Sequence, residues 1–473
     1  MNISNRALFL LLLLLSVVLR IPLLFPSVID HDESTYVIIA DQFLSGRIPY
    51  ADNLDVKPIG IYLIFSAVLK LSNSIAAIRL FSALIIAISG MLIYSIHFIL
   101  FSYRRVALVT AFLYVFCATL HKWSWPANTE IFFQLFSLLG LYLLLKARKP
   151  LHFISFGLVA GLGFLIKFHI AFSIIAFSIF YFFWQDRRWW PWFRNMTSSF
   201  LGFLIPVFIL IAWHSGIGYL QQLKFAMLTI PANYASEFNV VRLLSKMSEF
   251  YLSFLPVTIL TMIGLKTAYS SKWMLLPHWV LFASWTTFSW ISIALTGKFF
   301  FHYYFQALPA LCLFALTWFM MDEHPARSKT KLFLADKVYW ILGMLILLTW
   351  TNQYLQVLSK PDVSRQIVEV LEKKWEPGDQ IYTSDKNILY FLLNTDPPTK
   401  YIHTTVLYDK DLIEAYQVDV EKEFQLIVDQ RMDYYVVSKQ PHAIIERDIL
   451  ENFEIIQKFP GDVKLYGRIV SQY

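Results

Sequence analysis

The sequence predicts an α-helical polytopic membrane protein. About eleven transmembrane helices are expected, with juxtamembrane helices on the outer face and a small α/β domain at the C-terminus. Three observations predict this. The 473 residues are 57% hydrophobic, 17% aromatic and only 15% charged, a balance that a soluble chain of this length does not carry. Apolar runs recur at close to spanning length, broken by short loops rich in Lys and Arg. Past Leu355 the pattern changes to short alternating apolar stretches in a polar background.

Spans are expected at roughly 7–25, 75–100, 106–121, 130–145, 151–167, 169–184, 196–214, 250–265, 274–296, 303–321 and 337–355. The first has a basic start at Arg6 but no small-residue cleavage site after it, which reads as a retained signal-anchor helix. With the N-terminus in the cytoplasm, alternate loops should be basic. They are: Arg104 and Arg105; Lys146, Arg148 and Lys149; Arg187, Arg188 and Arg194; Lys266 and Lys272; then Arg327, Lys329, Lys331 and Lys337. The alternation holds if the short apolar stretch Pro58 to Leu71 lies in the outer interface beside a second helix at about 33–46. Pro58 then suits a first helical turn, where its missing N–H costs nothing.

This topology divides the chain into a membrane domain, 1–355, and an extracytoplasmic α/β domain, 356–473. In the latter, Pro377-Gly378-Asp379 is a turn before a strand at 380–382, and further strands are expected at 434–437 and 463–469. Helical patterns fall at about 362–374, 385–393 and 421–431.

The net charge of +7 fits membrane-flanking loops and gives no reason to expect a nucleic-acid partner. Cys117 and Cys312, the two cysteines, lie inside apolar runs and read as small core residues, neither a disulfide framework nor a metal site. Walker loops, dinucleotide fingerprints, nucleophile elbows and Cys/His zinc spacings are absent from the sequence.

The topology also collects Asp30, Asp32, Glu33, Lys57, Arg79, Glu130, Lys167, His169, Lys298 and His302 on the outer side, near span ends. Ionisable groups at a membrane boundary are costly unless they pair or perform chemistry. Carboxylates can take a proton from an incoming nucleophile, and lysines or arginines can hold the phosphate of a lipid whose tail stays in the bilayer. Each residue also has a plainer reading. Asp32 or Glu33 could cap a helix starting near Ser34. Lys57 could snorkel to the interface, an explanation that suits Lys167 less because apolar residues continue past it. Glu130 could be a first-turn acid, and His302 with Tyr303 an interfacial anchor; Arg79 and Arg20 suit orientation anchors. A divalent cation at His31 with Asp30, Asp32 and Glu33 is a further reading, weakened because adjacent side chains rarely converge on one ion.

Taken in order, Asp32-Glu33-x-x-Tyr36, Gly46, Lys57-Pro58-x-Gly60-x-Tyr62, Ala77-x-Arg79-Leu80, Glu130 and Gly161-x-Gly163-Phe164-Leu165-x-Lys167 resemble the GT-C superfamily of membrane glycosyltransferases. The similarity is to its bacterial protein O-mannosyltransferase-like and lipid A aminoarabinose transferase-like members. It covers roughly residues 10–185, with a less distinctive late loop at Gly297-Lys298, His302-Tyr303 and Pro309.

The resemblance implies transfer of a sugar, with inversion, from a polyprenyl-phosphate-linked donor to a protein, lipid or glycan acceptor on the extracytoplasmic face of the cell membrane. It implies Asp32, with Glu33, as the catalytic base or the group that orients the acceptor hydroxyl, and Lys57 and Lys167 as ligands of the carrier phosphate. Glu130, Arg79, His302 and Tyr303 would be accessory. No cofactor is implied as a requirement. Some relatives have a metal-binding acid before the Lys-Pro lysine; Val56 stands there in this chain, so that metal site is not carried over.

Other classes remain open: a phosphoryl or acyl transferase using a lipid carrier, or a lipid-linked-sugar flippase. A transporter predicts repeated halves and ionisable groups near the midplane. No repeat is visible, and the ionisable groups cluster at one face, which favours an enzyme. A scaffold would leave the acidic first loop unexplained. A polyprenyl-phosphate-sugar synthase would need a cytoplasmic nucleotide-binding domain, and none is seen.

Overall fold

The computed structural model describes residues 3–469 apart from 235–237, 273, 296, 318–339, 341–342, 404 and 439. The basic loop expected at Arg327 to Lys337 lies outside the described residues. The helices are α1 (Asn5–Arg20), α2 (His31–Leu44), α3 (Gly60–Leu71), α4 (Ile75–Phe101), α5 (Arg104–Leu120), α6 (Thr129–Lys146), α7 (Pro150–Phe164) and α8 (Ile170–Trp184). They continue with α9 (Trp189–Gly216), α10 (Leu220–Lys224), α11 (Ile230–Tyr234), α12 (Val240–Ser253), α13 (Leu255–Ser271), α14 (Leu276–Ala294), α15 (Leu308–Ala315) and a helix α16 over 343–353.

Among the described residues each expected span overlaps helix, though several helices are short, and parts of the expected spans 303–321 and 337–355 lie outside the described residues. By length and composition, four helices among the described residues can cross a membrane: Asn5–Leu24, α4, α6 and α9. A fifth, α12 with α13, is bent by 94° at its break. The run expected as a straight span from about 250 instead turns at Phe254. Leu255-Pro256 explains the break, since proline is tolerated only in the first turn of the new helix.

Two compact units divide the chain. The first comprises Met1–Leu24, Arg79–Ala212 and Ala235–Leu355; the second comprises Phe25–Ile78, Trp213–Tyr234 and Gln356–Tyr473.

Within the first unit, α7 packs on α9 at backbone distance. A Cβ on Gly157 would fall 1.8 Å from the Ser199 carbonyl oxygen, and one on Gly161 2.5 Å from that of Phe203. Small residues four apart let two helices approach this closely. Gly161 of the sequence motif is thus a packing residue. Arg20 and Arg79 are fully buried here. Arg20 donates to the Ser124 and Trp125 carbonyls at 2.7 and 2.6 Å, and Arg79 donates to that of Leu23 at 2.8 Å. Buried guanidinium groups need such acceptors, and these bonds tie the loop before α6 to the end of α1.

In the second unit, α2 lies against α3 through Tyr36, which meets Tyr62 and Phe65 edge-on, and through Ser66 donating to the Ala40 carbonyl. Asp30, not Asp32 or Glu33, caps α2: its carboxylate accepts the Asp32 backbone N–H at 2.9 Å. Gly46, with φ +89°, ends α2 in a left-handed turn that Arg47 N–H closes on the Gln42 carbonyl. Pro58 falls just before α3 rather than in its first turn.

The C-terminal segment of this unit holds α17 (Val363–Leu371), α18 (Ile388–Leu392), α19 (Lys410–Tyr416), α20 (Val420–Asp429) and α21 (Ala443–Asn452). Its four strands are β1 (Ile381–Thr383), β2 (Tyr434–Val437), β3 (Phe453–Phe459) and β4 (Val463–Arg468), in the order β1-β2-β4-β3. β1 pairs parallel to β2, and the other pairings are antiparallel. β3, α19 and α21 were not expected from sequence. A register shift between Ile455 and Gln457 interrupts the alternation of β3 that would have marked it.

Candidate active site

The motif residues settle into two acid–lysine centres, one in each unit. In the second unit, the N-cap at Asp30 starts α2 so that Asp32 stands in its first turn. The Asp32 Oδ2 lies 3.3 Å from Lys57 Nζ, and its Oδ1 lies 3.3 Å from His403 Nε2. The side chains of Asp32 and Lys57 are each 15% exposed, so the pair is partly open. Glu33 is fully buried. It follows Asp32 by about 100° around the helix, which separates the directions of the two acids.

The loop that carries Lys57 is held from several sides. Tyr50 donates its hydroxyl to the Lys57 carbonyl at 2.9 Å. Tyr50 itself has φ +71°, a conformation a bulky residue adopts only when its surroundings enforce it. The Tyr62 hydroxyl donates to Asp55 Oδ2 at 2.7 Å, and Asp55 is buried. Lys57 Nζ also stands 5.5 Å from the centre of the Tyr36 ring. Tyr234 and Tyr416 lie close enough to feel the charges of Asp32 and Lys57. The centre is therefore an ion pair lined by tyrosine.

Charge sorting is visible around it. Burial, then the negative charge of Asp32, raises the Asp30 carboxyl from 3.8 to about 6. Burial, and then the neighbouring His403, lowers the His31 imidazole below its ordinary value. Among the described residues, these acids and histidines do not form a group of three or more able to hold a metal ion.

In the first unit, α6 begins at Thr129, and Glu130 is an acid in its first turn. Lys167 lies in the turn between α7 and α8, its N–H bonded to the Gly163 carbonyl. The Lys167 ammonium forms a short ion pair with Glu130 Oε1, while Thr129 donates to Oε2 at 3.1 Å. These side chains are 5% and 2% exposed. Lys167 Nζ sits 4.0 Å from the Tyr303 ring centre, and His169 packs on the same ring at 5.0 Å. His302 stacks on Phe300 and acts electrostatically on Glu130. Tyr303 and His302 belong to the 3₁₀ segment Phe301–Ala307.

Four of the expected accessory and phosphate residues, Glu130, Lys167, His302 and Tyr303, thus meet in this unit. Arg79 is engaged with the Leu23 carbonyl. Asp55, His403, Tyr234 and Tyr416 were not singled out from sequence. Asp55 stands two positions before Lys57, near enough for a suspicion. Nothing local marks the other three.

Residues 56–215 match the family model for dolichyl-phosphate-mannose-protein mannosyltransferase, a segment that includes Lys57, Arg79, Glu130 and Lys167. No curated protein sequence matches the chain. Among solved structures, the fold is similar to ArnT from Cupriavidus metallidurans bound to undecaprenyl phosphate. The TM-score is 0.68 at 14% identity, over 98% of each chain. It is also similar to the archaeal oligosaccharyltransferase AglB from Archaeoglobus fulgidus in complex with an inhibitory peptide and a dolichol-phosphate. There the TM-score is 0.53 at 12% identity, covering 99% of this chain and 74% of the other. An apo oligosaccharyltransferase of the same organism gives 0.51 at 13% identity, covering 92% and 69%. The match to the family model is confined to residues 56–215, while the fold of the whole chain is similar to those of ArnT and AglB. At these identities the solved structures establish the fold, and the chemistry rests on the chain's own residues.

Proposed function

We propose that the protein transfers a sugar from a polyprenyl-phosphate-linked donor to a hydroxyl-bearing protein, lipid or glycan acceptor, with inversion, on the extracytoplasmic face of the cell membrane. The observation that carries this reading is the Asp32–Lys57 pair: a carboxylate in the first turn of α2 and an ammonium held side by side, partly open. In the reaction, the acceptor oxygen attacks the anomeric carbon as the bond from that carbon to the phosphate oxygen breaks. Asp32 takes the hydroxyl proton, and the polyprenyl phosphate leaves with its electron pair and gains the neutralising charge of Lys57. The lipid phosphates in the ArnT and AglB structures support a carrier of that chemistry. For Lys167 the proposal is also phosphate binding, with Glu130 as the group it must release. The orientation proposed has about eleven spans and puts both His403 and the sheet outside the cytoplasm.

The test is turnover. Purified protein is incubated with a panel of polyprenyl-phosphate sugars and a membrane acceptor fraction, and free polyprenyl phosphate is measured. Release by wild type and not by Asp32→Asn supports the reading and identifies the donor. Lack of release with every donor, from folded protein, would favour phosphoryl transfer or transport. Sidedness is read from Lys373→Cys at an exposed position. Labelling by an impermeant thiol reagent in intact cells supports the orientation, and labelling only after lysis reverses it.

A further inference from the structure

The two carboxylate oxygens of Asp32 face different nitrogens: Oδ2 faces Lys57 Nζ, and Oδ1 faces His403 Nε2, each at 3.3 Å. The proposed chemistry draws Lys57 toward the donor phosphate. A first-turn side chain on a partly open helix has other rotamers available, and His403 on the second oxygen restricts them.

His403 is built for that task. Its second ring nitrogen, Nδ1, accepts the backbone N–H of Thr405 at 3.5 Å and lies 2.8 Å from the Thr405 hydroxyl. A backbone amide can only donate, so Nδ1 is the acceptor and the ring proton belongs on Nε2, the atom that faces Asp32. From Nε2 the ring donates to the Asp32 carboxylate.

The strand of chain before His403 is pinned to both elements that make the centre. Lys400 accepts the Leu54 N–H at 2.8 Å, on the loop that carries Lys57. Asn387 bridges from the Ile402 carbonyl, at 3.4 Å, to the Thr35 hydroxyl on α2, at 3.1 Å. Thr35 is one turn beyond Asp32. The His403 position relative to Asp32 is therefore set by hydrogen bonds on both sides.

We propose that His403 is a positioning residue for Asp32. It holds Oδ1 in place while Lys57 turns to the departing phosphate and Oδ2 receives the acceptor proton. The C-terminal segment then completes the catalytic centre. This rests on the reading of Asp32 as the base.

The test compares His403→Gln with His403→Asn. The glutamine amide nitrogen reaches about as far as Nε2, whereas that of asparagine stops near Nδ1. Both are polar and small enough to fold. His403→Gln should keep kcat within about 3-fold of wild type, and His403→Asn should lose roughly 10- to 100-fold, the range for a hydrogen bond to a charged group. The donor KM should stay the same in both. Equal kcat in the two variants, or a loss that appears only in KM, overturns the proposal. Should Asp32→Asn turn over normally, the underlying reading fails instead, and that result is separate from the Gln–Asn comparison.

Discussion

Two acid–lysine pairs in one chain answer the same electrostatic problem differently. Glu130–Lys167 is almost completely buried, and the ammonium also rests on the Tyr303 ring. Asp32–Lys57 is partly open, and each of its partners has a second anchor nearby: His403 for the acid, Tyr36 for the lysine. A fully buried pair repays its desolvation only while both members are present. A partly open pair can exchange partners with a charged ligand at lower cost. The difference teaches that sequence motifs of one chemical type can be divided between a closed pair, whose lysine leaves its acid only at a high cost, and an open pair that exchanges partners readily.

The comparison breaks first at Lys167. Lys167→Met should destabilise the protein by about 3–5 kcal/mol by stranding Glu130, and pairing it with Glu130→Gln should recover most of that loss. Thermal unfolding in detergent measures both. A single variant as stable as wild type would mean that the buried pair does not stabilise the fold.

Asp32→Asn should leave unfolding nearly unchanged and lower turnover by roughly 10²- to 10⁴-fold, the usual loss for a general base. If stability falls as far as in Lys167→Met, the two pairs do not differ as described. Lys57→Ala should weaken polyprenyl-phosphate binding by about 10-fold, as expected for one lost charge-assisted contact. Titration of intrinsic fluorescence with the lipid phosphate checks this, and an unchanged affinity removes Lys57 from phosphate binding.

The smallest effect expected is at Asp30. Its carboxyl is raised from 3.8 to about 6, so the folded protein binds this proton more tightly than the unfolded chain. The stabilisation is present below about pH 4 and is lost as pH rises through about 6. Asp30→Asn keeps an N-cap acceptor while removing the titration. Its unfolding temperature, relative to wild type, should rise between pH 4 and pH 7. A difference that stays flat over that range would show that Asp30 does not carry the proton.

Much of this was legible beforehand because the bilayer imposes a strong pattern. Apolar length located helix within each expected span among the described residues. Asp32, Lys57, Glu130 and Lys167 stood out because charge is rare in such a chain. The bend at Phe254 and the strand Phe453–Phe459 were less accessible, the first because hydropathy does not report direction, the second because its bulge breaks the period of two.

By itself, then, the sequence determined the class of protein, the rough placement of its helices and the pool of ionisable residues, since each follows from local composition and the cost of charge in lipid. Tertiary structure alone decided which of those residues became partners. It paired Glu130 with Lys167 and Lys57 with Asp32, turned Arg20 and Arg79 inward to backbone carbonyls, and brought His403 from the far end of the chain to Asp32. Those outcomes depend on how distant segments pack, and no local pattern of residues encodes a contact whose two halves are separated by most of the chain.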